Sequence, residues 1–97
     1  GKAPFIQWLE SMKDKATRAK IQNRLNRLIT NNYGDYKSVG NGVLELRIHY
    51  GAGYRVYFAE ENNQIILLLL GGSKRTQSTD IDKSHTYWTD YQERTHA

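Results

Sequence analysis

Leu44-Glu45-Leu46-Arg47-Ile48-His49-Tyr50-Gly51-Ala52-Gly53-Tyr54-Arg55-Val56-Tyr57-Phe58 is the stretch on which the fold turns. In its first half Leu44, Leu46, Ile48 and Tyr50 alternate with Glu45, Arg47 and His49, the period of 2 shown by a strand with one dry and one wet face. Tyr54, Val56 and Phe58 repeat the alternation against Arg55 and Tyr57, and the Gly51-Ala52-Gly53 turn between the halves predicts a β-hairpin. Parity puts Leu44, Leu46, Ile48, Val56 and Phe58 on the face that should receive helices. It puts Glu45, Arg47, His49, Arg55 and Tyr57 on the other, which is expected to stay open to solvent as a polar, basic surface.

Upstream of the hairpin the period is helical. Phe5, Ile6, Trp8 and Leu9 predict a short helix from Pro4 to Met12, with proline in the first turn where its missing N–H does no harm. Asp14 is a good N-cap for a second helix, in which Ile21, Leu25, Leu28 and Ile29 share a face and which ends near Asn31-Asn32-Tyr33-Gly34. Downstream, Glu60-Glu61-Asn62-Asn63 predicts a polar turn. The unbroken apolar run Ile65 to Leu70 fits a central strand covered on both faces, with Gly71-Gly72 breaking it. Ser78, Thr79 or Asp80 can cap a last helix that carries Ile81, Trp88 and Tyr91. Helices at both ends of a mainly antiparallel sheet make this an α+β chain.

At 97 residues the chain has room for one domain with one modest core. It holds no cysteine, which removes disulfides, thiolate metal sites and a cysteine nucleophile, and fits a reducing cytoplasm. The longest apolar run, Ile65 to Leu70, is far short of the roughly 20 residues of a membrane span. Met12 is the only methionine and the chain begins at Gly1, so the native start is expected to have been removed or replaced. Fourteen Lys and Arg against ten Asp and Glu give a charge of +4, a balance common in proteins that meet phosphate backbones. On the second helix Lys13, Lys20, Arg24 and Arg27 fall in a stripe beside the apolar one, which reads equally as a solvated helix face and as an apron for nucleic acid or an acidic partner.

The hairpin is where chemistry can sit. Arg47 and Arg55 can each grip a phosphate bidentately, His49 can exchange protons near neutral pH, and the Tyr57 ring suits base stacking. An ordinary wet sheet face with Arg47 paired to Glu45 accounts for the same residues. Lys74 and Arg75 follow the apolar strand and precede the last helix, where phosphate is attracted, although the glycine and lysine spacing of a P-loop is absent. His85 and His96 lie eleven residues apart with no ligand partner at helical spacing, so no metal site is expected. Trp8 and Trp88 at helical spacing read as core aromatics.

Glu-Leu-Arg at 45–47, Gly-Tyr-Arg-Val-Tyr-Phe at 53–58, Leu-Leu-Gly-Gly-Ser-Lys-Arg-Thr-Gln at 69–77 and Asp80-Ile81 resemble the RelE/ParE toxin superfamily. The likeness is greatest to its HigB-like, phage Gp49-related branch of addiction module killer proteins, and Trp8-Leu9, Arg24 to Leu28, Gly34-Asp35, Lys37, Val39-Gly40 and Tyr87-Trp88 extend it over nearly the whole chain. The resemblance implies one toxin domain over residues 1–97, with N-terminal helices packed on a twisted, mainly antiparallel sheet and a C-terminal helix. Members usually begin with a further strand, which this chain is expected to lack or to have lost. It also implies an activity, cleavage of messenger RNA, often on the ribosome, and a small antitoxin partner, expected here to be of helix-turn-helix type.

By position the family's basic site residues correspond to Arg47, Arg55 and Lys74 or Arg75, and His49 joins them by strand parity as candidate general acid or base. Arg75, Tyr57, Gln77, Lys37, Arg24 and Arg27 are the expected RNA-binding residues. Ser73 stands where acidic residues are frequent in this branch. The mechanism expected from the resemblance is attack of the ribose 2′-OH on the adjacent phosphate, with Arg55 and Lys74 stabilising the charge on the phosphoryl oxygens and with neither metal nor other cofactor required. Two rivals stand beside this reading: a ParE-like poison of DNA gyrase without nuclease chemistry, and an inactive member that serves only as the partner of a repressor.

Overall fold

The computed structural model describes residues 3–95. Helix α1 spans Pro4–Ser11, opening on the proline as expected. Helix α2, Lys15–Ile29, is capped by Asp14, whose carboxylate accepts hydrogen bonds from the Ala16 N–H and the Thr17 hydroxyl. Strands β1 (Tyr36–Gly40), β2 (Val43–Ile48), β3 (Tyr54–Glu61) and β4 (Gln64–Ser73) follow, and a 3-10 turn at Lys74–Thr76 leads into helix α3, Gln77–Thr95. The four strands form one sheet in the order β1-β2-β3-β4, every neighbouring pair antiparallel. This is the expected α+β architecture, and no helix of the described residues is long and apolar enough to cross a membrane.

The hairpin register follows the alternation: Leu44 faces Phe58, Leu46 faces Val56 and Arg47 faces Arg55. The dry face receives α1 and α2, so that Phe5, Ile21, Leu25 and Leu28 pack with Leu44, Leu46, Ile48, Val56 and Phe58. Ile29, expected on that stripe, is 73% exposed, because the helix ends there and turns its last apolar residue outward.

Three expectations are corrected. Strand β1 was not foreseen in Tyr36–Gly40, whose alternation is weak; it pairs with β2 through Asn41-Gly42, both at positive φ, in a two-residue turn of the kind that matches strand twist. Strand β4 is an edge strand, not the middle of the sheet, which is held by β2 and β3. Its apolar run has two covered faces because α1 packs on one and α3 on the other; burial of faces says nothing about pairing at the edges. Gly71 and Gly72 do not break β4, which continues to Ser73. A Cβ at Gly71 would lie 2.0 Å from the Trp8 ring, and one at Gly72 would lie 1.9 Å from the Asp80 carboxylate. The two glycines thus let a helix approach each face of the same strand.

The second core lies on that other face, where Val43, Tyr57, Ala59 and Leu69 pack against Trp88, with Ile81, Tyr87 and Tyr91 of α3 around them. The last helix also begins earlier than its candidate caps at residues 78–80, since the 3-10 turn runs directly into Gln77.

Candidate functional site

The polar side of the hairpin is not an open sheet face. Helix α3 covers it, and Glu45 and Tyr57 are both 0% exposed. The helix settles there because Val43, Ala59 and Leu69 offer apolar area beside the polar residues. Only the end of the face remains accessible, where Arg47 and Arg55 stand directly opposite each other on β2 and β3 and Gly72 of β4 lies beside Arg55. The Arg47 side chain is 30% exposed and that of Arg55 12%, so the two guanidiniums are held against protein rather than waving in solvent.

Glu45 holds them. Its Oε1 accepts a hydrogen bond from Arg47 Nε at 3.0 Å, and its Oε2 lies 3.7 Å from Arg55 Nε. The same Oε2 accepts from the Tyr57 hydroxyl at 3.0 Å and from Gln77 Nε2 at 2.9 Å. Burial alone would push the Glu45 carboxyl up, but the bonds from Gln77, Arg47 and Tyr57 and the charge of Arg55 outweigh it and hold the group below its ordinary value. Burial and the adjacent carboxylate push the Tyr57 phenol far up, keeping it a neutral donor. Tyr57 therefore has no ring face to offer a base; its ring is core and its hydroxyl belongs to the Glu45 network.

Lys74 joins the arginines through the chain turn. The Gly53 carbonyl accepts both the Lys74 N–H at 2.8 Å and Arg55 Nη1 at 3.0 Å. Gly53 can serve both because its φ of +75° is one that a residue without Cβ adopts at no cost. Lys74 and Arg75 are exposed on the 3-10 turn, and Gln77, one turn later, reaches back to Glu45. Lys37 on β1 faces Glu45 in register and lies exposed at the rim of the same sheet face.

The family profile described as Phage derived protein Gp49-like matches residues 7–86. The chain belongs to this Gp49-like family, which is part of the RelE/Gp49 toxin-like group. An uncharacterized protein of Haemophilus influenzae (strain ATCC 51907 / DSM 11121 / KW20 / Rd) is 46% identical over 80 residues, 82% of this chain and 81% of its own. No solved structure matches the chain. The Gp49-like match runs from within α1 to within α3 and so takes in the hairpin, the Lys74–Thr76 turn and Gln77.

Other expected residues of this Gp49-like chain lie apart from that cluster. Strand β2 ends at Ile48, so parity no longer aims His49; its Nε2 pairs with the Asp35 carboxylate at the mouth of β1, and both are exposed. That bond is the main reason the Asp35 carboxyl sits below its ordinary value. Among the described residues no hydrogen bond joins His49 to Arg55 or Lys74. Arg24 lies on α2, on the opposite side of the sheet, and spends its guanidinium on backbone carbonyls: Arg47 at 2.6 Å, Tyr33 at 2.8 Å and Asp35 at 3.5 Å. Arg27 is exposed on the same helix. His85 bonds the Val39 carbonyl at 2.7 Å, His96 lies outside the described residues, and no cluster of metal-ligating side chains occurs among those described.

Sequence reading missed Glu45, Asp35 and Gly53 as parts of the site. Glu45 had a visible signal, a carboxylate two residues before Arg47 on the same hairpin face and diagonal to Arg55. Asp35 and Gly53 act through loop geometry, which has no period to read.

Proposed function

We propose that the protein is a toxin of HigB-like kind from an addiction module, an endoribonuclease that halts translation by cutting messenger RNA and is held inactive by a cognate antitoxin protein. The observation that carries this reading is the joining of Arg47, Arg55 and Lys74 around one buried carboxylate and one shared carbonyl at the open end of the sheet face. Guanidinium groups fixed in this way can grip a phosphodiester without first being ordered, and donors of fixed direction stabilise charge that builds in a transition state.

In the proposed reaction the ribose 2′-OH attacks the adjacent phosphorus, forming the 2′-O–P bond as the P–O5′ bond breaks. The 2′-hydroxyl proton leaves to a base and a proton reaches the departing 5′ oxygen, giving a 2′,3′-cyclic phosphate and a free 5′-OH. Arg55 and Lys74 stabilise the phosphoryl oxygens and Arg47 positions the phosphate. Among the described residues His49 bonds neither Arg55 nor Lys74, but its partner Asp35 accepts the Arg47 N–H through its backbone carbonyl, and from that side His49 is the candidate proton carrier, a role worth roughly 10²- to 10⁴-fold. Arg75, Gln77 and Lys37 rim the site and track the flanking backbone.

Incubation with a defined messenger RNA, with and without ribosomes and in the presence of a chelator, tests this. Cleavage leaving 5′-OH ends, lost in Arg55→Ala, is expected. Inhibition of gyrase supercoiling with RNA left intact would overturn it in favour of a gyrase poison. Full cleavage by His49→Ala would remove the histidine from the mechanism while leaving the arginines in place.

A further inference from the structure

We infer that Glu45 is the positioning residue of the site, a buried carboxylate whose task is to aim Arg47 and Arg55 at one phosphate, and that this is why a charge is kept inside the α3-side core. The inference rests on the reading of the site as one that grips RNA phosphate. Stability is a weak reason to keep the carboxylate there. It lies on the face that α3 covers, two residues from Val43 on β2 and opposite Tyr57, and a buried ion cluster can commonly be replaced as a whole by apolar residues without loss.

Geometry explains what it does instead. Arg47 and Arg55 occupy directly opposed positions, where side chains start only about 5 Å apart and like charges repel. Glu45 holds Arg47 by a hydrogen bond from Nε at 3.0 Å and Arg55 by charge alone, its Oε2 lying 3.7 Å from an Arg55 Nε that is buried without a hydrogen-bond partner. A guanidinium anchored through Nε keeps its terminal nitrogens for another partner, and on Arg55 one of these is steadied by the Gly53 carbonyl. The carboxylate itself cannot turn, because Tyr57 and Gln77 both donate to Oε2. One negative charge against two arginines leaves a surplus of one positive charge facing the opening, before Lys74 is added. A single phosphodiester carries the matching charge. Through Gln77 the aim also depends on α3 lying in its observed place.

The test uses Glu45→Gln, which keeps the volume and removes the charge. The Nε–Hε resonances of Arg47 and Arg55 in an NMR spectrum report the aim without any RNA. The Arg47 resonance should exchange slowly with solvent in the wild type and freely in Glu45→Gln, and the Arg55 resonance should shift with loss of the facing charge, while that of Arg24 stays unchanged. Cleavage under single-turnover conditions should fall about 10²-fold, the usual cost of misplacing groups by an ångström. Adding Arg47→Ala to Glu45→Gln should cost little more, since both remove the same interaction.

Should Glu45→Gln fail to fold, Tyr57→Phe serves. It keeps the ring in the core but removes one donor to the carboxylate, so the acid limb of the pH–rate profile should move to higher pH, a shift that mere loosening of the core would not produce. Unchanged arginine resonances, or wild-type cleavage by Glu45→Gln, overturn the inference. If the wild-type protein cleaves no RNA while its arginine resonances depend on Glu45, the nuclease reading fails and the positioning role stands.

Discussion

At the scale of the residue, the adjacent pair Gly71-Gly72 shows how a sequence feature can be noticed and misread. Two glycines at the end of an apolar run look like punctuation, yet here each clears space for a different helix on opposite faces of one strand. Gly71→Ala would drive a methyl group into the half-buried Trp8 ring, which packs against the core. Overpacking of this kind costs about 1–3 kcal/mol, which for a domain of this size lowers Tm by roughly 4–8 °C per kcal/mol. A thermal melt checks this, and the pair Gly71→Ala with Trp8→Ala should be less destabilised than the sum of the two single changes.

Glu45 gives a second prediction at this scale. Its carboxyl is held below the 4.5 of an unfolded chain, so its contribution to stability is fully present above that value and is lost as pH falls through the lower folded value. Denaturant midpoints measured on the acid side should therefore drop less steeply for Glu45→Gln than for the wild type. The slope that persists is ascribed to Asp14 and Asp35, which are likewise held low by their partners. Parity correctly placed Glu45 with the arginines. What it could not show is that helix α3, which begins 32 residues later at Gln77, would close over it, because a polar residue whose partners satisfy it looks in sequence like one that faces water.

At the scale of the element, strands were legible in proportion to their alternation. The β2–β3 hairpin was read with its pairing and dry face, although β2 stops at Ile48 and β3 takes in Glu60-Glu61, while β1 escaped because Tyr36-Lys37-Ser38-Val39-Gly40 has little contrast between faces. The signal that could have found it was the turn, Asn41-Gly42, the pairing that a two-residue hairpin favours. The basic stripe of α2 was legible too, but its members differ in what they do. Arg24 fastens the loop after its helix to the end of β2 through three carbonyl oxygens, whereas Arg27 stands exposed. Arg24→Ala should lower stability by about 1.5–3 kcal/mol, the cost typical of losing hydrogen bonds made by a charged group. Arg27→Ala should leave the melt unchanged. Urea unfolding of the two variants side by side checks the contrast, and equal effects would mean that the stripe acts as a plain solvated face.

At the scale of the whole molecule, a net charge of +4 is too small to say where RNA would lie, and the sheet divides the basic residues between two sides. Arg24 and Arg27 ride on α2, over the face whose core holds Leu46 and Phe58, while Arg47, Arg55 and Lys37 belong to the face under α3, with Lys74 and Arg75 at its end. An RNA strand seated on the arginine pair can follow the rim past Lys74 in one direction and towards Lys37 in the other without crossing to the α2 side. Salt dependence can decide this, because each phosphate neutralised on a single strand contributes about 0.7 to the slope of log K against log salt concentration. Arg55→Ala, Lys74→Ala and Lys37→Ala should each lower that slope by about one such step when binding of an uncleavable, 2′-deoxy-substituted RNA is titrated by fluorescence anisotropy. Arg27→Ala should leave the slope as it is. A reduced slope for Arg27→Ala would instead mean that the strand wraps the β1 edge and uses both sides of the sheet, making the α2 stripe part of the interface.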